Sequence, residues 1–156
     1  MIGEKLASLG LNLPQKLSAV GSYVPVVMLG NTAFVSGQIA LDFHLEPAQL
    51  RFKGKVGNNI SIEDAKSAAA LCVINALAQL NSALGSLEPI KRIVKITGYI
   101  NCEPSFAEHS TVMNGASELV LKIFGDIGRH ARVAIGANSL PLDSPVELDM
   151  IAEVAS

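Results

Sequence analysis

Apolar positions recur at helical spacing in two long stretches of this chain and at strand spacing on either side of them. Residues 61–84 carry the first helical stripe: Ala65, Ala69, Cys72, Val73, Ala76, Leu77, Leu80 and Leu84 fall on one face. Ser61 with Asp64 three residues on begins a capping box, with Asp a weaker partner than Glu, and Gly85 offers the left-handed stop. Val112, Ala116, Leu119, Val120 and Ile123 form the second stripe, which runs to Gly125. Ser105 and Glu108 read as the capping box that opens it. A short amphipathic helix is expected at residues 2–9, with Gly10 just past its end, and residues 11–21 read as irregular.

Strand-like segments fill the remainder. Residues 24–29 and 32–40 are apolar and β-branched around Gly30 and Asn31, the turn chemistry of a hairpin. Residues 41–59 are a long mixed loop containing Pro47, Gly54 and Gly57, and a loop of that length in a compact domain is usually functional or mobile. Strands are expected at residues 90–100, 132–140 and 146–155. The last alternates, with Val146, Leu148, Met150, Ala152 and Val154 on one side and Glu147, Asp149, Ile151 and Glu153 on the other.

The order is β-β-α-β-α-β-β behind an N-terminal helix, an α+β domain with two helices on one face of a sheet. Residues 1–156 form a single domain in which residues 1–20 are an N-terminal extension. Val27, Leu29, Phe34, Val35 and Ile39 put apolar side chains on both faces of the hairpin. The two helices cover one face, so self-association is the economical way to cover the other, and pockets then fall between subunits.

Composition agrees with this. Hydrophobic residues are 49% of the chain and the mean hydropathy is +0.39. Apolar runs fall short of the roughly 20 residues of a membrane span, and the first residues lack a signal-peptide pattern. The excess apolar surface therefore points to an oligomer rather than a membrane protein, and two distant cysteines without an export signal point to reduced thiols in the cytoplasm. A net charge of -2 and an aromatic content of 4% argue against nucleic acid as a partner. Lys91, Arg92 and Lys95 read as a solvated basic face.

Two charges stand out against this apolar background. Arg132 lies at the start of one apolar strand and Glu147 near the start of the next. A guanidinium and a carboxylate facing one pocket can hold a small carboxylic acid and move a proton or a water beside it; an ordinary cross-strand ion pair fits the same spacing. Ser36-Gly37-Gln38, at the end of a strand, either lets a ligand approach the backbone or marks a β-bulge. His44, His109 and His130 have no metal-ligand spacing, and neither nucleotide-binding glycine motif occurs. His130 could flank a pocket with Arg132 or be a solvated loop residue. Cys72 reads as core, and Cys102, with nothing basic beside it in sequence, as an inert thiol more readily than a reactive one.

Taken in order, Gly21-Ser22-Tyr23, Phe34-Val35-Ser36-Gly37-Gln38, Val94 to Ile100, Met113-Asn114, Phe124-Gly125, Ala131-Arg132, Leu140-Pro141 and Val146 to Ala152 resemble the RidA/YjgF family of reactive-intermediate imine deaminases, formerly the endoribonuclease L-PSP family. The resemblance runs from about Val20 to the C-terminus. It implies a chorismate-mutase-like fold, a homotrimer with itself as partner, and clefts at the subunit interfaces. It further implies that Arg132 binds the carboxylate of a reactive enamine or 2-imino acid of the 2-aminoacrylate or 2-iminopropionate type and that Glu147 positions the attacking water. Tyr23 would close the pocket from a neighbouring subunit, with Ser36, Gly37 and Asn114 as further substrate-binding positions. The products are a 2-keto acid and ammonium, and no metal or organic cofactor is required.

The chain departs from the family pattern at His130-Ala131-Arg132-Val133-Ala134, where the family often has proline at the first position and cysteine at the last. A mechanism through that thiol is excluded. The long loop and the N-terminal helix mark a divergent subgroup. The rival readings are a non-catalytic small-carboxylate-binding or regulatory protein using the same cleft, and a ribonuclease or translation inhibitor, which the charge disfavours.

Overall fold

The computed structural model of the protein describes residues 1–15, 17 and 21–156. Its elements are α1 (Ile2–Ser8), β1 (Val26–Leu29), β2 (Thr32–Ile39), β3 (Leu41–Asp42), β4 (Gln49–Leu50), α2 (Ile62–Leu84), β5 (Ile90–Asn101), α3 (His109–Phe124), β6 (Ala131–Ala137) and β7 (Val146–Val154). The expected α+β order is present, with the small β3–β4 pair added inside the long loop. Part of the irregular stretch expected at residues 11–21 lies outside the described residues.

Local chemistry explains the helix ends. Ser61 accepts the backbone N–H of Asp64 at 3.1 Å, so half of the expected box forms. Gly85, at φ 78, stops α2 in the left-handed region. Gly10 takes φ 67 after α1, and the Leu11 N–H returns 2.9 Å to the Leu6 carbonyl, which closes that helix. The box expected at Ser105 is not formed. Helix α3 starts at His109, with Glu108 as its N-cap, because the chain first makes a turn in which the Phe106 N–H donates to the Glu103 carbonyl.

The main sheet has the order β1-β2-β7-β5-β6. All neighbours are antiparallel except β5 and β6, which are parallel and joined through α3. Strand β7 is central, and its alternation sets the two faces. Val146, Leu148, Met150, Ala152 and Val154 are buried under α2 and α3 with Ile93, Ile96 and Ile100 of β5. Helix α2 is long and apolar enough to cross a membrane by length and hydropathy alone, contrary to the expectation above, but most of it is buried inside this core. Among the described residues, nothing covers the opposite face, where Val27, Phe34, Val133 and Ile135 are exposed and Leu29 is 71% exposed.

Candidate active site

The bulge in β2 shapes the first half of the site. Pairing with β7 shifts between Val35 and Gln38, so Ser36 and Gly37 are the bulged residues. The Ser36 hydroxyl donates to the Val24 carbonyl at 2.9 Å, and its N–H donates to the Pro25 carbonyl. These bonds tie down the segment that follows Tyr23. Gly37 leaves room for the Glu147 carboxylate: a Cβ placed on Gly37 would collide with Glu147 Oε1. Tyr23, Gly37 and Glu147 line a cavity of about 170 Å³ together with residues of the long loop and the 3-10 turn Pro141–Asp143.

Glu147 is half-buried. Burial pushes its carboxyl above the ordinary range, and the nearby negative charge of Asp149 adds to this. Across the strand pair, Tyr99 faces Glu147, and its hydroxyl donates to Asp149 Oδ2 at 2.9 Å. That hydrogen bond, with burial, raises the phenol as well.

The second half lies at the sheet edge. Arg132 pairs in register with Ile96, and Ile96 with Met150, so the arginine stands on the helix-covered face. One terminal nitrogen donates to Asn114 Oδ1 and Ser117 Oγ, both at 3.0 Å. The other donates to Ser110 Oγ at 2.8 Å. Ser110, Asn114 and Ser117 are neutral acceptors on one face of α3. They fix the guanidinium without cancelling its charge, and among the described residues no carboxylate pairs with it. His130 joins the same network. Its Nε2 lies 2.9 Å from Ser117 Oγ and its Nδ1 2.6 Å from the Gly128 carbonyl. The Gly128 carbonyl can only accept, so the ring donates to it from Nδ1. His130 and Arg132 share one surface depression.

Arg132 and Glu147 do not meet within one chain. The sheet separates them, since Glu147 shares a face with Tyr99 and Arg132 does not. The cross-strand ion pair is excluded too, because β5 lies between β6 and β7. Of the residues singled out in the sequence, Tyr23, Gly37 and Glu147 gather at the cavity, Arg132 and Asn114 gather at the edge, and Ser36 braces the first group.

A protein family described as "YjgF/chorismate_mutase-like, putative endoribonuclease" matches residues 3–154. The chain belongs to the YjgF/chorismate mutase-like family. It is 36% identical to protein TCP17 of Trypanosoma cruzi over 154 residues, covering 98% of this chain and 94% of that one. A crystal structure of a protein of unknown function from Agrobacterium tumefaciens is 39% identical with a TM-score of 0.87, covering 99% of this chain and 92% of that one. A "putative endoribonuclease" from Shewanella oneidensis is 34% identical with a TM-score of 0.91, covering 98% and 99%.

The YjgF-like frame leaves several residues unread at the level of sequence. Ser110 and Ser117 bind Arg132, and the signal for them was available: with Asn114 they make a polar stripe at spacings of four and three on α3. Leu41, Phe43, Gln79 and Leu142 line the cavity and carried no such signal. Cys102 is buried, 3.6 Å from His109 Nε2, and Lys55 Nζ reaches its carbonyl oxygen. Basic groups therefore do adjoin it, but burial dominates and raises the thiol.

Proposed function

We propose that the chain assembles with copies of itself and hydrolyses 2-imino acids in a cleft that draws Arg132 from one copy and Glu147 from another. The observation that carries this is the division of the two groups between opposite faces of one sheet. Each half is prepared for part of the reaction, and the bare apolar face offers a surface through which a second copy can bring them together. The family frame favours a trimer.

Arg132 fixes the substrate carboxylate, a task that suits a planar guanidinium already oriented by neutral acceptors. Glu147 holds a water at the imine carbon and accepts its proton as the water adds to the C=N bond. The nitrogen takes up protons and leaves as ammonium, and the C–OH becomes the carbonyl of a 2-keto acid. Imines of this kind hydrolyse readily in water, so orientation supplies much of the acceleration. The test is ammonium and keto-acid release from imines generated in situ by an amino-acid oxidase. Wild type should accelerate release; Arg132→Ala and Glu147→Gln should each abolish the acceleration.

A second reading has its own support. The hydrogen bonds that orient Arg132 all form within one chain, so the same cleft could bind small carboxylates without turning them over. Saturable 2-keto-acid binding that needs Arg132, with no acceleration of any imine, would favour it. The endoribonuclease named among the relatives has less support, given the net charge of -2.

A further inference from the structure

We propose that the substrates are 2-imino acids with bulky apolar side chains, seated in the cavity beside Glu147. This rests on the imine-hydrolysis reading above. The cavity wall is mostly apolar: Pro25, Ile39, Leu41, Phe43, Pro141 and Leu142 supply most of it, and Gln38, Gln79 and Glu147 are its polar members. At about 170 Å³ it is close in size to apolar protein cavities of about 150 Å³ that take up benzene. A methyl group would leave most of it unfilled, whereas an isobutyl or benzyl group would fill it. With the carboxylate held at Arg132 and the imine carbon at Glu147, the third substituent of that carbon is the group left to enter the cavity.

The wall is a constructed feature of this chain, and the long loop builds it. Asn75 of α2 donates to the carbonyls of Ile39 and Leu41, at 3.0 and 2.8 Å. Asp42 turns inward between Leu41 and Phe43, accepts the His44 N–H at 2.9 Å and pairs with Arg51 of the loop. The opposite rim is Leu142, which is 60% exposed and holds a left-handed φ of 55. Leucine adopts that conformation only where its surroundings impose it. They do so through the next residue. Asp143 accepts from the buried Asn101 side chain at 3.0 Å, and its carbonyl accepts the Gly54 N–H.

The experiment compares the acceleration of hydrolysis for imines made from leucine, phenylalanine and alanine, each over its own uncatalysed rate. The leucine and phenylalanine imines should be favoured by tenfold or more in kcat/KM. Leu142→Trp, which fills the rim, should bring that ratio toward one. The leucine-derived 2-keto acid should compete better than pyruvate for the cleft. Equal or better acceleration of the alanine imine would overturn the side-chain proposal and leave imine hydrolysis standing. An unchanged ratio in Leu142→Trp would also overturn it. No acceleration of any imine would instead sink the parent reading.

Discussion

Gly37 and Glu147 occupy neighbouring strands so closely that the carboxylate fills the space a side chain at Gly37 would need. Gly37→Ala should therefore displace Glu147. The carboxylate is the far end of a flexible side chain and can move aside, so we expect little loss of stability but loss of most turnover. A Gly37→Ala protein with wild-type activity would show that the carboxylate's place is unimportant.

On the proposed mechanism, Glu147 also ties activity to pH. Its carboxyl lies above the ordinary range in the folded chain, so the acid limb of the kcat/KM profile should fall above the usual carboxylate value of about 4.3. The folded state holds this proton more tightly than the unfolded state. Its contribution to stability is therefore present in acid and is lost as pH rises through the folded pKa. Glu147→Gln should raise the melting temperature at neutral pH, leave it little changed in acid, and remove the acid limb of any residual activity. A Gln variant less stable than wild type at neutral pH would contradict this.

In the proposed cleft, Ser117 and His130 would act on substrate only through Arg132, as positioning residues. Ser117→Ala removes one of the two acceptors of an Arg132 nitrogen, which keeps Asn114, and His130→Ala removes the hydrogen bond between its ring and Ser117; each should cost about 0.5–1.5 kcal/mol. They should raise KM, or the dissociation constant for a 2-keto acid, by roughly threefold to tenfold with kcat nearly unchanged. Arg132→Lys loses the planar fork and should cost more, roughly 10- to 100-fold, as expected for hydrogen bonds to a charged group. Titration calorimetry with a 2-keto acid separates these cases.

The central sheet and both long helices could be read from the sequence because their signals are local. β7 alternates without a break, and α2 and α3 carry helical stripes with Gly85 and Gly125 behind them. Strand ends and caps were less legible. Ser105 and Glu108 have the spacing of a capping box, but a turn through Phe106 delays the helix to His109. The site divides in the same way. Arg132 and Glu147 are conspicuous as charges in apolar strands, yet their placement on opposite faces follows from register, with Arg132 beside Ile96 and Glu147 beside Tyr99 on the intervening β5. Leu41, Phe43 and Leu142 look like ordinary apolar residues until the loop folds them around one cavity.

A second buried amide, besides Asn75, holds that loop. Asn101 is fully buried. Its Nδ2 donates to the Gly54 carbonyl at 3.1 Å and to Asp143 Oδ1 at 3.0 Å, while its Oδ1 accepts from Lys55 at 2.9 Å. Asn101→Ala leaves all three partners short of a bond and should cost about 1–3 kcal/mol. That corresponds to roughly 2–4 °C per kcal/mol in a chain of this size. It should also weaken selection among imine side chains by releasing Asp143 and, with it, Leu142. Thermal melts alongside the imine comparison check both effects, and a variant unchanged in both would contradict the role given to this amide.

Subunit complementation is the most direct test of a cleft shared between copies. Arg132→Ala and Glu147→Gln chains, each inactive alone, are unfolded together in equal amounts, refolded, and assayed for imine hydrolysis. In random assemblies, about a quarter of the clefts pair an intact Arg132 with an intact Glu147 from a neighbour, so activity should return to about a quarter of the refolded wild-type level. A mixture that assembles normally and stays inactive, while refolded wild type turns over, would contradict a site built from two copies of this chain.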